Sequence, residues 1–463
     1  MSPAQWISRG ASLWRPGLDA KTSSGKGAEP RPSPAAAAEA PASRSTRERL
    51  QATWRRGEEA LSPRVLRRTL TQLQAIVDPR ASEVEGARRA KAFALHYAQA
   101  GAEERRDAWL LMSEQFGPDP KKIQAAREQF EAAQGSAEEG AAEIRLRRAL
   151  ASPRTRLLQR FAAFPEGMRF LVDLRAELLP HLKGDKRLLA LDGELETLFS
   201  TWFDVAFLEL RRLSWDSPAS LIEKLIKYEA VHDIRSWADL KNRLDSDRRC
   251  YGFFHPKLEG EPLIFVEVAL TDAISDSITP LLDETAAAAD LRKATTAIFY
   301  SISNCQPGLR GVSFGDALIK RVVETLKEEF PRLKTFATLS PIPGLRGWLG
   351  KQVPAEKLAA WDQPLELGPK APERRELLAW AARYLGKELR DGKPVDPVAR
   401  FHLGNGARVE RLNWAADPSA KGLKQSFGLM VNYLYDPKRL DKNRAQLAQG
   451  EIPVASAISE LYR

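Results

Sequence analysis

The sequence predicts a multidomain α+β chain: an all-helical N-terminal part, then an α/β part built on a mixed sheet. Three observations predict it. From Thr46 to Thr201 apolar residues recur at helical spacing, punctuated by serine and proline caps. From Trp202 onward short β-branched runs appear, the strongest being Pro262-Leu263-Ile264-Phe265-Val266-Glu267-Val268-Ala269-Leu270. Helical stretches alternate with those runs, which lays helices against a sheet. The boundaries read as a tail over 1–45, a helical domain over 46–201 and a sheet domain over 202–463.

Composition narrows the function classes. At 463 residues the chain can bury a large core, and 43% hydrophobic with 29% charged residues is ordinary for a soluble protein. No run of about 18 apolar residues occurs, so no membrane span is expected. A net charge of +10 favours anionic partners. The basic residues are interleaved with acidic ones along the helices, which reads as solvated faces rather than a nucleic-acid surface. Two cysteines, Cys250 and Cys305, form neither a metal pattern nor a disulfide framework, so a reducing, cytoplasmic setting is expected.

In chain order, Met1 to Ser45 is rich in alanine and proline and reads as disordered. In the first twenty residues Arg9 and Arg15 against the single acid Asp19 loosely resemble a transit peptide, but an alanine- and proline-rich extension is the better reading. The C-terminal Glu460-Leu461-Tyr462-Arg463 is not a peroxisomal signal. Ser62-Pro63 is a cap followed by proline at the first helical position, and Leu66, Leu70, Leu73 and Val77 keep the helical period until Pro79. Ser82-Glu83-Val84-Glu85 has the form of a capping box. Ser152-Pro153 repeats the cap-plus-proline start, and Pro165-Glu166-Gly167 breaks that helix before a further one from Met168 to Leu179. Nothing here has catalytic spacing, so the region reads as an interaction or oligomerisation surface. Ser217-Pro218 caps another helix, and Trp237 to Leu244 is a short one. Strands are expected at Ala297–Ile302, Thr335–Leu339, Arg408–Trp414 and Leu429–Tyr435, with Asp436 onward a polar surface helix or tail.

The most informative stretch runs from Thr296 to Gly350. A strand leads into Gln306–Gly315, a segment with three glycines, and then into a helix with Leu318, Val322, Leu326 and Phe330 on one stripe, stopped by Pro331. A glycine-bearing loop that opens a helix is an anion site in physical terms. Gly311 and Gly315 let backbone N–H groups approach a phosphate, the helix start adds its unpaired amides and dipole, and Arg310 adds a fork of donors. Val312, Ser313, Phe314 and Asp316 complete the candidate loop, with Ser313 and Asp316 orienting the helix start. The spacing is neither Gly-x-Gly-x-x-Gly nor a nucleotide P-loop. It resembles the pyrophosphate loop of the acetyltransferase superfold, with one residue more between its glycines; a plain glycine-rich turn is the competing reading.

Five stretches shift that balance: Phe299-Tyr300-Ser301-Ile302-Ser303, Gly308-Leu309-Arg310-Gly311-Val312, Leu339-Ser340-Pro341-Ile342-Pro343-Gly344, Phe401-His402-Leu403-Gly404-Asn405-Gly406-Ala407 and Leu412-Asn413-Trp414-Ala415-Ala416-Asp417. In this order they resemble the malonyl-CoA decarboxylase family, strongly from Leu208 to Tyr435 and loosely before that. The resemblance implies an acetyltransferase-like catalytic domain, malonyl-CoA as substrate, acetyl-CoA and carbon dioxide as products, no cofactor, and a homo-oligomer, dimer or tetramer. It also implies that Ser340 is the active-site serine and His402 the catalytic histidine. On the residues alone, Ser340 is equally a turn serine capping its own backbone. Of five histidines, His402 stands out, because glycines follow it and an ordinary imidazole pKa suits a proton donor. Asn405 and Tyr433 are secondary candidates, each equally a satisfied structural residue. Cys305 reads as a bystander and Glu267 as an edge-facing surface carboxylate. Two rivals stay open: a coenzyme A-dependent acyltransferase on the same fold, and a non-catalytic helical scaffold.

Overall fold

The computed structural model describes residues 63–312 and 317–462. The expected tail over 1–45, the cap at Ser62 and the loop candidates Ser313, Phe314, Gly315 and Asp316 lie outside the described residues.

Helices fill the first half: α1 Pro63–Ile76, α2 Glu83–Gln99, α3 Ala102–Glu114, α4 Pro120–Ala133, α5 Glu139–Leu150, α6 Pro153–Ala162, α7 Gly167–Leu178 and α8 Leu189–Trp202. Leu66, Leu73 and Ile76 of α1 are buried, as the helical period requires. The Ser82 hydroxyl accepts from Glu85 N–H at 3.1 Å, and Ser152 accepts from Arg154 N–H at 3.1 Å. The expected capping box is half made. Glu85 turns its carboxylate to Arg88 and Arg89 one turn on, because two guanidiniums outbid one backbone amide.

The second half is an eight-stranded sheet. Its strands are β1 Glu209–Leu213, β2 Arg248–Phe254, β3 Pro262–Thr271, β4 Thr296–Asn304, β5 Thr335–Thr338, β6 Ser340–Pro341, β9 Arg408–Asn413 and β10 Met430–Leu434. The order is β1-β2-β3-β4-β5-β10-β6, with β9 also on β10. Among the described strands only β4 and β5 pair in parallel, joined by a crossover through α11, Ala317–Glu329. The other helices are α9 Ala219–Tyr228, α10 Trp237–Arg243, α12 Leu345–Leu349, α13 Ala355–Ala359, α14 Pro372–Gly386, α15 Pro397–Gly404, α16 Ala420–Ser426, α17 Leu440–Ala448 and α18 Ser456–Glu460. A two-residue ladder, β7 Leu389–Arg390 with β8 Lys393–Pro394, precedes α15.

One apolar core joins the halves. Leu171 and Leu195 of the helical half belong to the same cluster as Val266, Phe299 and Val322. The opposite sheet face is covered separately, with Cys250, Phe265 and Cys305 under α9 and α10.

Two expectations change. Ser217 is not the cap of α9: Pro218 occupies that position, and the Ser217 hydroxyl accepts from Ser214 N–H instead. After Asp436 the expected surface helix is present as α17, but the residues beyond it are not a surface tail. Val454 bridges Val409 of β9 in parallel, and Ile452 and Ile458 are buried, because these few apolar residues reach the core edge past polar neighbours.

Candidate active site

The β4–β5 pairing ends at Phe299 opposite Thr338, yet β4 runs on to Asn304. The two strands therefore part at their C-terminal ends, the place where a parallel sheet offers a crevice. The loop after β4 leaves from one lip. Ser340 stands at the other, two residues past β5, paired with Val431 of β10.

His402 reaches the same place from another element. It was expected in a glycine-rich turn; it lies in the last turn of α15. Asp396 caps that helix, its carboxylate accepting from the N–H groups of Val398 and Ala399 at 2.9 and 3.0 Å, with Pro397 at the first helical position. The other Asp396 oxygen accepts from Gly344 N–H at 3.2 Å and from the Tyr384 hydroxyl at 3.3 Å. One buried carboxylate thus ties the start of the His402 helix to the turn that follows Ser340. Gly344 must be glycine there, since a Cβ would sit 2.2 Å from the Tyr384 hydroxyl.

Ser340 and His402, 62 positions apart, are in contact: Oγ to Nε2 is 3.2 Å. Both are buried, 5% and 3% exposed. The Ser340 hydroxyl donates to Thr338 Oγ1 at 2.8 Å, and Thr338 Oγ1 also accepts from Tyr433 N–H at 3.1 Å. On the far side of the ring, Nδ1 lies 2.8 Å from the Tyr435 hydroxyl. The Tyr433 ring stacks on the imidazole at 4.7 Å and 26°.

Protonation follows from burial. It pushes His402 down to about 3, so the ring is neutral at ordinary pH. It pushes the phenols of Tyr433 and Tyr435 up, so both keep their protons. A Tyr435 O–H donating to Nδ1 leaves the imidazole proton on Nε2, facing Ser340. The chain of donors is Tyr435, His402, Ser340, Thr338. An ordinary imidazole pKa was expected; burial removes it.

The Tyr433 hydroxyl is fully buried and has no hydrogen-bond partner among the described residues. Asn405 is engaged elsewhere, its Nδ2 capping α15 through Phe401 O at 2.8 Å. In the loop, Arg310 is exposed, Gly311 is exposed and left-handed at φ +84°, and Val312 is buried. Cys305 is buried, its thiol pushed well up by burial, which removes it as a thiolate.

Glu267 is the clear correction. It was expected at the surface; it is fully buried, 3.1 Å from the equally buried Arg243. Arg243 also binds Asp239 at 2.7 Å. Burial, with the Glu229 carboxylate adding to it, pushes Glu267 up to about 8 against the pull of Arg243. Along β3 its neighbours Val266 and Val268 face the core shared with Tyr433, so Glu267 faces away from Ser340 and His402.

Sequence reasoning missed Tyr435, Thr338 and Asp396. Two signals were present. Tyr433 and Tyr435 are two apart in an expected strand and so share a face, and Asp396-Pro397 is a helix start.

Among the described residues no group of three His, Cys, Asp or Glu is arranged to hold a metal, and no helix is long and apolar enough to cross a membrane. The profile of the malonyl-CoA decarboxylase C-terminal domain matches residues 206–463, and that of its N-terminal domain matches 116–203. The chain is 36% identical over 398 residues to the mitochondrial malonyl-CoA decarboxylase of Anser anser anser, covering 75% of this chain and 78% of that one. It is 38% identical over 338 residues to the mitochondrial malonyl-CoA decarboxylase of Rattus norvegicus, covering 64% and 68%. The crystal structure of malonyl-CoA decarboxylase from Rhodopseudomonas palustris superposes with a TM-score of 0.76 at 40% identity, over 85% of this chain and 99% of that one. That from Agrobacterium vitis gives 0.77 at 41%, over 86% and 100%.

Proposed function

The chain belongs to the malonyl-CoA decarboxylase family, and we propose that its carboxy-lyase reaction, malonyl-CoA to acetyl-CoA and carbon dioxide, runs at the Ser340–His402 pair. The observation that carries this is the contact of Ser340 Oγ with His402 Nε2, backed by Tyr435 on Nδ1, at the end of the one parallel strand pair.

The chemistry asks for two services. When the C2–carboxylate bond breaks, its electron pair moves into the thioester carbonyl and gives an enolate. The enolate oxygen needs donors, and C2 needs a proton. The unpartnered Tyr433 O–H is a donor buried beside the ring, and Ser340 O–H becomes a second by turning from Thr338 to the substrate. By itself the buried His402 ring is neutral. A malonyl carboxylate or an enolate beside the ring adds negative charge, which favours the imidazolium. His402 then carries the proton that ends on C2, and solvent restores it after product leaves. The sum is malonyl-CoA plus one proton giving acetyl-CoA plus carbon dioxide. Tyr435 serves both states, donating to neutral Nδ1 and accepting from Nδ1–H when the ring is charged.

Arg310, Gly311 and Val312 are proposed as the described part of the diphosphate site. The exposed Arg310 and the left-handed Gly311 at the C-terminal end of β4 support it. No cofactor beyond the substrate's own coenzyme A is proposed. A cytoplasmic setting is proposed on the two free, buried cysteines, although the matched animal relatives are named mitochondrial. A homo-oligomer built through the helical domain, 46–201, is supported by large apolar side chains exposed there: Val84, Leu95, Ile144 and Leu150. The sheet domain over 202–463 is the proposed catalytic unit. Neither nucleic acid nor membrane is a proposed partner.

Incubation with malonyl-CoA alone tests the reaction. Equal amounts of acetyl-CoA and carbon dioxide are expected without any amine. Turnover only with an added amine makes it an acyltransferase, and no turnover leaves the helical scaffold.

A further inference from the structure

We infer that Arg175, in the helical half, is a positioning residue for coenzyme A: it holds the loop after β4 so that the Gly311 amide faces the diphosphate. The inference rests on the reading of that loop as the phosphate site.

Arg175 sits on α7 and is 2% exposed. Its Nη1 donates to two carbonyls of the loop, Gly308 O and Arg310 O, both at 2.9 Å. Its Nε donates to Asp192 Oδ1 of α8 at 2.8 Å, and Nη2 lies 3.7 Å from Glu196. The guanidinium is therefore fixed on the helical side before it meets the loop. Two further contacts seat the same segment. A Cβ on Gly308 would stand 1.9 Å from Val172 O, so the loop backbone rests directly on α7. Arg169 of α7 donates to Gln306 Oε1 at 2.7 Å, while Gln306 Nε2 donates to Pro262 O at 2.7 Å.

Peptide geometry makes this more than anchorage. In a trans peptide the C=O and the following N–H point in opposite directions. A carbonyl of Arg310 turned toward Arg175 turns Gly311 N–H away from the helical half. That N–H has no partner among the described residues, whereas the amides of Leu309, Arg310 and Val312 close local turns. One guanidinium thus sets the direction of an amide that is open, like that of the buried Gly308, among the described loop residues. A lysine keeps the charge but not the planar fork that meets Gly308, Arg310 and Asp192 together.

The test compares two substrates. Malonyl-CoA carries the diphosphate; malonyl-N-acetylcysteamine has the same thioester without it. For Arg175→Gln and Arg175→Lys, KM for malonyl-CoA is expected to rise about tenfold with kcat within about threefold, the scale of one lost charge-assisted hydrogen bond. The loss in kcat/KM on the truncated thioester is expected to be several times smaller. Asp192→Asn, which leaves Arg175 present without its anchor, should move the same ratio in the same direction and by less. Equal losses on both substrates would make Arg175 merely structural and overturn the inference, as would unchanged KM in every variant. Should Arg175→Gln fail to fold, Arg175→Lys and Asp192→Asn decide it. Hydrogen exchange of residues 308–312 in the parent enzyme, with and without coenzyme A, separates the two readings. Protection there with unaltered KM in the variants sinks the Arg175 role alone. No protection sinks the phosphate-loop reading and this inference with it.

Discussion

Two polar clusters lie buried on opposite faces of the same sheet, and they are built on different terms. Beneath α9 and α10, Arg243 is locked between Asp239 and the Glu267 carboxyl, which burial pushes up to about 8, and Glu229 accepts from Ser301 and Ser303 at 2.8 and 3.1 Å. On the other face Ser340, His402, Thr338, Tyr433 and Tyr435 carry no charge, and one of them, Tyr433, has an idle hydroxyl. The first cluster spends its charges on itself. The second is poised for a charge that arrives from outside. Burial alone does not separate the two faces; the neutral set is the one that stands at the strand-end opening.

The largest expected effect belongs to the charged cluster. Arg243→Met leaves Asp239 and the Glu267 carboxyl buried without their guanidinium partner, and should cost about 3–5 kcal/mol in urea unfolding. Turnover per folded molecule should stay within about threefold. A loss below about 1 kcal/mol would erase the contrast between the faces.

The second prediction inverts that pattern. Ser340→Ala, and His402→Ala or His402→Asn, should each lower kcat by on the order of a hundredfold or more while coenzyme A affinity stays within a few-fold. The double variant should lose less than the product of the single losses if both act in one step. Decarboxylation by His402→Ala at the parent rate would remove it as the proton donor.

Tyr433→Phe sharpens the comparison further. Removing an unpartnered buried hydroxyl should leave stability unchanged or slightly raised, yet lower kcat about tenfold, the scale of one hydrogen bond to an anionic oxygen. A drop in both would show that the hydroxyl has a structural partner and no vacancy for substrate.

A separate effect is acid sensitivity. Burial holds His402 at about 3 and His232 at about 4, both below the usual 6.5. The unfolded chain takes up those protons first, so each histidine lowers stability as pH falls below about 6.5, by on the order of 2 kcal/mol near pH 5. His402→Asn should flatten the urea midpoint between pH 7 and pH 5. A midpoint that falls as steeply as the parent's would place the acid sensitivity elsewhere.

Much of this was legible from the residues. Cap-plus-proline starts located α6, the β-branched run located β3, and the ordered motifs named the family and the pair that meets. What stayed hidden was hidden for physical reasons. Strand β2 opens with Arg248 and Arg249, charges that interrupt a strand's apolar pattern and are neutralised by Asp247 and Glu329. Glu267 looked solvent-facing because its partner is 24 residues away on another element. The neutrality of His402 depends on what surrounds it, from α15 and from Tyr433 and Tyr435 on β10 and just beyond it, and no spacing encodes that. The direction of the Gly311 amide depends on an arginine 135 positions before Arg310.

Thr338 has a final consequence. Its hydroxyl takes the N–H of Tyr433 where a ladder carbonyl would ordinarily stand, at the irregular step of β10 between Asn432 and Tyr433. The same oxygen receives Ser340. A one-residue slip of β10 would turn Tyr433 and Tyr435 to the opposite face, away from His402. Enzymatic assay and strand alignment are therefore one measurement here. In a refolding experiment, regained turnover counts only correctly threaded molecules, whereas far-ultraviolet dichroism counts any sheet at all, and the gap between the two curves reads out misregistered chains directly.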